Sequence, residues 1–285
     1  MSAPCSLEDS YHHCDTLARG YDKDRWLAGL FAPEAARPHL NALTAFEQQV
    51  ASIRMRAREP IAAEIRLVWW REAISGERAG EAQGHPVAKA LLDTISKFRL
   101  PLNLFENHIA ARQFDAYDDP MPSLNDLEGY CGETCSSWFQ LAALILADGR
   151  DVGAADASGH AGVAYGLTRL LRALPETSAR GQVYLPRDML ERHGVTPEDV
   201  RARRAGPGMA AALRELIAVA RRHLGEAETH LKPLPKEIAP AYAALAVAPL
   251  YLAKLEKAAD APFAAEVEVA QWRRQWALWS WARKR

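Results

Sequence analysis

Two groups of side chains have the types that bind metal ions in proteins. Asp115, Asp118 and Asp119 form an aspartate cluster, and Cys131 and Cys135 stand four residues apart on one face of a predicted helix. Further ligand types occur near the start of the chain, at His12, His13 and Cys14. Aspartates before a proline are typical of exposed turns, and cysteines without a second pair at zinc-site spacing are typical of small core residues. The sequence therefore favours structural roles over a metal site for both groups.

The C-terminal segment combines tryptophans with basic residues. Trp272, Trp276 and Trp279 share one stripe of a predicted helix, followed by Trp281 and the basic residues 283–285. Indole rings favour the interface of a bilayer, and cations favour anionic headgroups. Two interpretations stay open. The one we favour packs the stripe on the rest of the protein with the charges in solvent; the other exposes the tail to a membrane or a partner as a peripheral contact.

The overall composition excludes several classes of protein. The 285 residues are 49% hydrophobic and 25% charged, with a formal net charge of -1. This is too apolar for a disordered chain and not basic enough for a nucleic-acid binder. Four cysteines are too few for a disulfide framework, which favours a reducing compartment. A secretory signal is missing, and the uncharged run 238–253 is shorter than a bilayer span. We therefore expect a cytoplasmic protein, which would associate with the inner face of a membrane if its tail is exposed.

The elements that position these residues are predicted to be helices. Apolar residues recur at three- and four-residue spacing through most of the chain, whereas the alternation typical of strands is missing. Helices are predicted through 40–53 and 61–73, and over 86–98, 101–117, 123–147, 151–174, 208–231, 237–259 and 262–281. Short connections and the lack of a repeat indicate one antiparallel all-α bundle around a shared core. We predict an N-terminal extension over residues 1–21 and a single domain over residues 22–285.

Residues 161–195 carry a longer and more specific motif. They read AGVAYGLTRLLRALPETSARGQVYLPRDMLERHGV. This run resembles the squalene/phytoene synthase family, whose helix has the pattern G-x-A-x-Q-L-T-N-I-L-R-D-V-x-E-D, followed by R-G-R-x-Y-L-P and a later G-V. The matching positions are Gly162, Ala164, Leu167, Thr168, Leu171, Arg172, Glu176, Arg180, Gly181, Tyr184, Leu185, Pro186, Gly194 and Val195. Weaker similarities, at residues 43–46 and 70–72, at Asp115 and at Tyr130 with Cys131, extend the resemblance over roughly residues 22–255.

The resemblance implies an isoprenoid synthase fold, which is an all-α bundle with a central cavity. Members of the family join two prenyl diphosphates head to head, with Mg²⁺ held by two aspartate clusters on facing helices. The metal ions neutralise the charge that develops on the diphosphate leaving group, and Mg²⁺ needs oxygen ligands that converge from one helix face.

The chain departs from the family at the metal-binding positions. These positions hold Ala51 and Met55 in the first motif, and Arg169, Ala173 and Thr177 in the second. Glu176 keeps one acidic position of the second motif, and Glu47 lies one turn before the first. Because so few acids cannot hold a cluster of metal ions, we expect no metal and no cofactor, and Mg²⁺ only if the chain is an active enzyme.

The loss of acids within a well-matched frame resembles the non-catalytic branch of the family. That branch includes a mitochondrial assembly factor for respiratory complex I, and it carries L-R-A-x-P where the synthases carry L-R-D-V. The run from Leu171 to Pro175 reads the same way. The resemblance implies a non-catalytic helper in the assembly of a membrane-bound respiratory complex, with a cavity for an isoprenoid or another lipid. The alternative is an active prenyl diphosphate transferase with an unconventional diphosphate site.

The candidate binding site is an anion pocket, because guanidinium groups suit phosphate. Its residues are Arg54, Tyr130, Arg169, Arg172, Glu176, Arg180 and Tyr184. A structural interpretation is also open. It places Arg54 and Arg56 on a solvated face, pairs Arg172 with Glu176 at four-residue spacing, and uses Tyr184 to satisfy a backbone group in a turn.

Overall fold

The computed structural model describes residues 6–57, 59–264 and 267–285. Residues 1–5 of the predicted extension, and residues 58, 265 and 266 of the predicted domain, lie outside the described residues, and the last two fall within the predicted helix 262–281. Across the described ranges the chain is helical with no β-strand, which confirms the predicted all-α class.

The described helices are numbered in chain order. They are α1 (Leu7–Tyr21), α2 (Lys23–Gly29), α3 (Arg37–Ala51), α4 (Ile53–Arg56), α5 (Pro60–Ser75), α6 (Ala79–Gly84), α7 (Pro86–Phe98), α8 (Leu102–Ala111), α9 (Leu124–Cys131), α10 (Ser137–Leu146), α11 (Ala155–Arg172), α12 (Leu174–Ala179), α13 (Arg187–Arg192), α14 (Pro197–Arg201), α15 (Pro207–Leu231), α16 (Ala239–Tyr242), α17 (Ala248–Ala258) and α18 (Gln271–Ala282). Short 3₁₀ segments lie at Glu34–Ala36, Arg112–Ala116, Lys236–Ile238 and Ala243–Val247, and a π-helical turn lies at Gly132–Ser136.

Helix α11 is the central helix of the bundle. It packs against α10, α15, α17 and the π-helical turn, and every residue from Ala161 to Thr168 is buried. Gly162 and Gly166 share the face that meets the π-helical turn. A Cβ atom on Gly162 would overlap the backbone nitrogen of Ser136. Because glycine has no side chain, the backbone of α11 can lie close to the π-helical turn at these two positions.

Two glycines of α11 provide a test of this close approach. Replacing Gly162 with Ala should destabilise the fold by about 2 kcal/mol or more, because the new methyl group meets backbone that cannot rotate away. Replacing Gly159 with Ala on the same helix should change stability by at most about 1 kcal/mol, in the stabilising direction, since nothing lies within 4 Å of its Cβ position. Urea unfolding of both variants measures the difference. Equal stabilities would contradict the packing described here.

Several predicted helices are interrupted in the structure. The predicted helix 123–147 contains the π-helical turn, and the predicted helix 101–117 is α-helical only to Ala111 before it tightens to 3₁₀. The predicted helix 237–259 is divided into short pieces around Pro240 and Pro249, which lack the backbone N–H that continues a helix. Helix α18 begins only at Gln271.

The segment Lys236–Ala258 is the one described stretch with the length and composition of a membrane span. Its 23 residues extend beyond both ends of the uncharged run 238–253. It is divided into short helices, and most of it is buried among the other helices, with Tyr242 and Tyr251 fully enclosed. In this fold it is a core segment.

Helix α1 belongs to the packed bundle. It packs against α3 and α7, and it buries Cys14 and Ala18 completely. The boundary predicted between residues 21 and 22 therefore separates two adjoining helices, and residues 7–21 are part of the core rather than an extension beyond it.

Candidate functional site

A cavity of about 370 Å³ opens between α3, α9, α11 and α12. The candidate binding residues line it, at Arg54, Tyr130, Arg169, Arg172, Glu176, Arg180 and Tyr184. The positions of the lost acids line it as well, at Ala51, Met55, Ala173 and Thr177. The structure thus brings the two sequence motifs together on facing sides of one cavity.

The sequence did not indicate several other residues that line the cavity. Tyr21, Arg112 and Gln182 line the cavity beside Asp115, which the sequence analysis names in the aspartate cluster and as a match to the family. A smaller cavity of about 120 Å³ shares several of these residues and continues between Cys131, Cys135 and Gly166. Arg112 and Asp115 lie three residues apart, a spacing that signals an ion pair on one helical face.

A network of ion pairs reaches the cavity at Tyr21 and Arg169. Glu47, on α3, is 1% exposed, and its carboxylate pairs with the fully buried Arg25 of α2. Nη1 of Arg169, on α11, lies 2.6 Å from the other oxygen of Glu47 and 3.8 Å from Asp22. The Tyr21 hydroxyl also donates to Glu47, at 3.3 Å. Two guanidinium groups therefore balance two carboxylates; Arg25, Asp22 and Glu47 are buried, and the Arg169 side chain is 26% exposed at the cavity.

The Glu47 carboxylate is committed to these partners. Burial by itself raises its pKa, but the neighbouring Arg25 and then Arg169 lower the pKa well below its ordinary value, so the group is charged at neutral pH. A divalent cation could reach the carboxylate only by displacing an arginine. Glu47 is therefore a structural anion and a poor ligand for Mg²⁺.

A second network surrounds Asp115. The hydroxyls of Tyr130 and Tyr184 donate to its Oδ1 at 2.8 and 2.7 Å, and Arg112 Nη1 lies 3.1 Å from Oδ2. Burial first, and the Asp115 carboxylate second, raise the pKa of Tyr184 well above its ordinary value. Both tyrosines are therefore neutral donors at neutral pH. The partner of Tyr184 is this carboxylate, where the structural interpretation had expected a backbone group.

Three arginines surround the mouth of the cavity. Arg54 binds both oxygens of Asp118 at 3.1 and 3.2 Å, so it is not simply solvated. Arg172 pairs with Glu268 at 3.0 Å and stacks over the Tyr251 ring. Arg180 lies 3.7 Å from Glu176. The expected pairing of Arg172 with Glu176 is thus replaced by two other pairs, because the segment after α17 brings Glu268 to Arg172.

The donor set of the cavity fits an anion better than a metal. Five arginines line it against two carboxylates, those of Asp115 and Glu176. Within the described residues, the buried Nε atoms of Arg54 and Arg112 have no hydrogen-bond partner. Among the described ranges, no three His, Cys, Asp or Glu side chains are grouped so that they could hold a metal ion. The residues present therefore do not fit the Mg²⁺ cluster that the fold implies.

The remaining metal candidates lie apart from one another. Asp118 and Asp119 are exposed in a loop before Pro120, whereas Cys131 and Cys135 are buried. His12 and His13 are exposed on α1 and Cys14 is buried, where burial raises the pKa of its thiol to about 12.

The tryptophan stripe of the tail faces solvent, whereas the interpretation that we favoured packs it on the bundle. Trp272, Trp276 and Trp279 are 70%, 63% and 42% exposed. Helix α18 packs on the bundle through its other face, where Leu278 is buried and Arg274 pairs with Asp24 at 2.8 Å. The prediction that the tryptophan stripe packs on the bundle was therefore wrong.

Comparison with known proteins places this geometry in context. The model of the squalene/phytoene synthase family matches residues 18–280. NADH dehydrogenase (ubiquinone) complex I, assembly factor 6 of Rattus norvegicus is 29% identical over 251 residues, which cover 88% of this chain and 75% of that protein. The crystal structure of squalene synthase HpnC from Alicyclobacillus acidocaldarius superposes with a TM-score of 0.72 at 25% identity, covering 90% of this chain and 97% of that one. A dehydrosqualene synthase superposes with a TM-score of 0.81 at 20% identity, over 98% and 97% of the two chains, and so shares the fold.

Proposed function

Since the chain belongs to the squalene/phytoene synthase family, we propose that it is a non-catalytic member that helps to assemble a membrane-bound respiratory complex. The relatedness to a protein named as a complex I assembly factor supports the assembly role. The cavity supports the loss of catalysis by a separate line of evidence.

The observation that carries the proposal is the pairing of the carboxylates at the cavity. Glu47, Asp115 and Glu176 each lie within 4 Å of a guanidinium group. Arg169 stands where the family places a ligand of Mg²⁺, and it contributes a cation to that position. Ionisation of an allylic diphosphate needs metal charge that develops with the leaving group. Arginines whose charge is already neutralised by carboxylates of the protein supply much less positive charge to the leaving group.

The cavity itself is retained, and we propose that it holds the phosphorylated head of an isoprenoid or another lipid. Arginine side chains donate hydrogen bonds, and phosphate oxygens accept them. The smaller cavity between Cys131, Cys135 and Gly166 provides a less polar wall for the first part of an apolar chain. A ligand bound in this way would be held without being ionised.

Two experiments separate the parts of this proposal. Purified protein incubated with farnesyl or geranylgeranyl diphosphate and Mg²⁺ should give no head-to-head product, while an active squalene synthase assayed in parallel gives it. Detection of squalene- or phytoene-type product would establish the alternative, an active prenyl transferase.

Deletion of the gene in its host should lower the amount of assembled NADH dehydrogenase complex, and expression of the chain should restore it. An unchanged complex would overturn the assembly role.

A further inference from the structure

The outer face of α18 is an exposed aromatic stripe on a helix that is fixed to the bundle. Leu278 is 2% exposed, Trp281 packs on the core, and Arg274 pairs with Asp24 across 250 positions of sequence. This anchoring leaves Trp272 and Trp276 pointing away from the protein, because residues four apart share a face of a helix. The stripe is therefore presented rigidly, and its exposure is not a consequence of fraying.

The charge around this stripe has one sign. The segment from Gln271 to Arg285 contains five arginines and lysines and no acidic residue, although the whole chain has a formal net charge of -1. Arg273, Arg283 and Lys284 are exposed, and the guanidinium of Arg283 lies 4.7 Å from the centre of the Trp279 ring. An anionic surface is thus the complementary partner for this face.

A basic groove continues the charged surface at the C-terminal end of α18. It has a volume of about 370 Å³ and lies between the end of α15 and the end of α18. Its polar lining consists of Lys232, Lys236, Lys284 and Arg285, and no carboxylate lines it. Leu231 and Trp281 contribute apolar walls. A phosphate group attached to an apolar chain matches this combination.

From these features we infer that the outer face of α18 docks on an anionic phospholipid bilayer, with the tryptophan rings at the level of the headgroups and a lipid phosphate in the basic groove. Indole rings and flanking cations are the usual composition of helices that lie in a bilayer interface. A second copy of this chain is disfavoured as the occupant, because two such cationic faces would repel each other. The inference goes beyond the proposed function and does not rest on it.

Vesicle binding by the full chain tests the inference. Co-sedimentation with vesicles of phosphatidylcholine and phosphatidylglycerol should retain the protein, and pure phosphatidylcholine should bind it at least tenfold more weakly. The variant Trp272→Ser/Trp276→Ser/Trp279→Ser should lose at least tenfold in affinity for the mixed vesicles. Because these side chains are exposed, its thermal unfolding should stay close to that of the wild type. Brominated lipids should quench the tryptophan fluorescence of the wild type and not that of the variant.

Two further variants keep the test specific. Arg273→Gln/Arg283→Gln/Lys284→Gln should also weaken binding at least tenfold and reduce its dependence on salt. The control Ile61→Ser/Ile65→Ser removes side chains that are 70% and 64% exposed on α5, and it should bind like the wild type. Failure of the wild type to bind mixed vesicles would overturn the inference, as would equal binding by the tryptophan variant. A concentration-dependent dimer that the tryptophan variant abolishes without lipid would instead identify a second copy as the occupant.

Discussion

Replacing Glu47 with Gln is expected to destabilise the protein by about 3–5 kcal/mol, a large part of the stability of a typical domain. The substitution keeps the size of the side chain and removes its charge. Arg25, which is fully buried, and Arg169 then face one carboxylate fewer, and the enclosed guanidinium charge is left uncompensated. Urea unfolding at neutral pH measures the loss.

Glu176→Gln is the matched control for this variant. It also removes one carboxylate that pairs with an arginine, but the side chains of Glu176 and Arg180 are 61% and 44% exposed. Solvent screens such a pair, so the expected loss is less than about 1 kcal/mol. Equal effects of the two substitutions would show that the Glu47 network is open to water and would contradict the site described here.

The same network predicts a dependence of stability on pH. The pKa of Glu47 in the folded protein lies well below its ordinary value of 4.5, which holds in the unfolded chain. The stabilisation is therefore complete above about pH 5.5, and it is lost progressively as the pH falls through 4.5 and below, because the unfolded chain takes up the proton first. Glu47→Gln should lack this part of the pH dependence. The free energy of unfolding of both proteins, measured between pH 7 and pH 3.5, gives the comparison.

The fold was predictable from the sequence because its signals are local. Apolar spacing of three and four residues predicts most of the long helices on its own, although α1 was missed, and the motif at 161–195 contributes Arg169, Arg172 and Arg180 to one cavity. The π-helical turn at Gly132–Ser136, which packs against α11, was not predicted, whereas the breaks in 237–259 lie at Pro240 and Pro249, which are visible in the sequence.

The partners of the site residues could not be predicted, since they come from distant parts of the chain. Arg169 meets Glu47 across 122 positions, and no pattern in either segment indicates the pair. The sequence likewise did not indicate which face of the C-terminal helix packs on the bundle. Two faces of α18 are apolar enough to pack, one with Trp272 and Trp276 and the other with Leu278. On the side that packs, Arg274 binds Asp24, which lies near the start of the chain.

Farnesyl diphosphate is expected to bind the cavity equally well with EDTA and with Mg²⁺, because five arginines line it and one of them, Arg169, occupies a position from which the family presents a metal ligand. Arg54→Gln/Arg180→Gln should weaken this binding at least tenfold, since each hydrogen bond to a charged group contributes about 1.5–3 kcal/mol. These two arginines are chosen because neither takes part in the Glu47 network, so that the fold is retained.

Calorimetric titration with the metal as the only variable decides between the outcomes. Arg214→Gln is the control, because Arg214 also binds both oxygens of an aspartate, Asp260, away from the cavity, and its loss should leave the affinity unchanged. Binding that needs Mg²⁺ would show that the cavity recruits metal despite its paired carboxylates, and it would return the chain to the active synthases. An absence of binding under both conditions would leave the arginines with a purely structural role. Binding that is independent of the metal and depends on Arg54 and Arg180 is the result we expect. It distinguishes a pocket in which guanidinium charge replaces the divalent cation from an active synthase and from a purely structural role of the arginines.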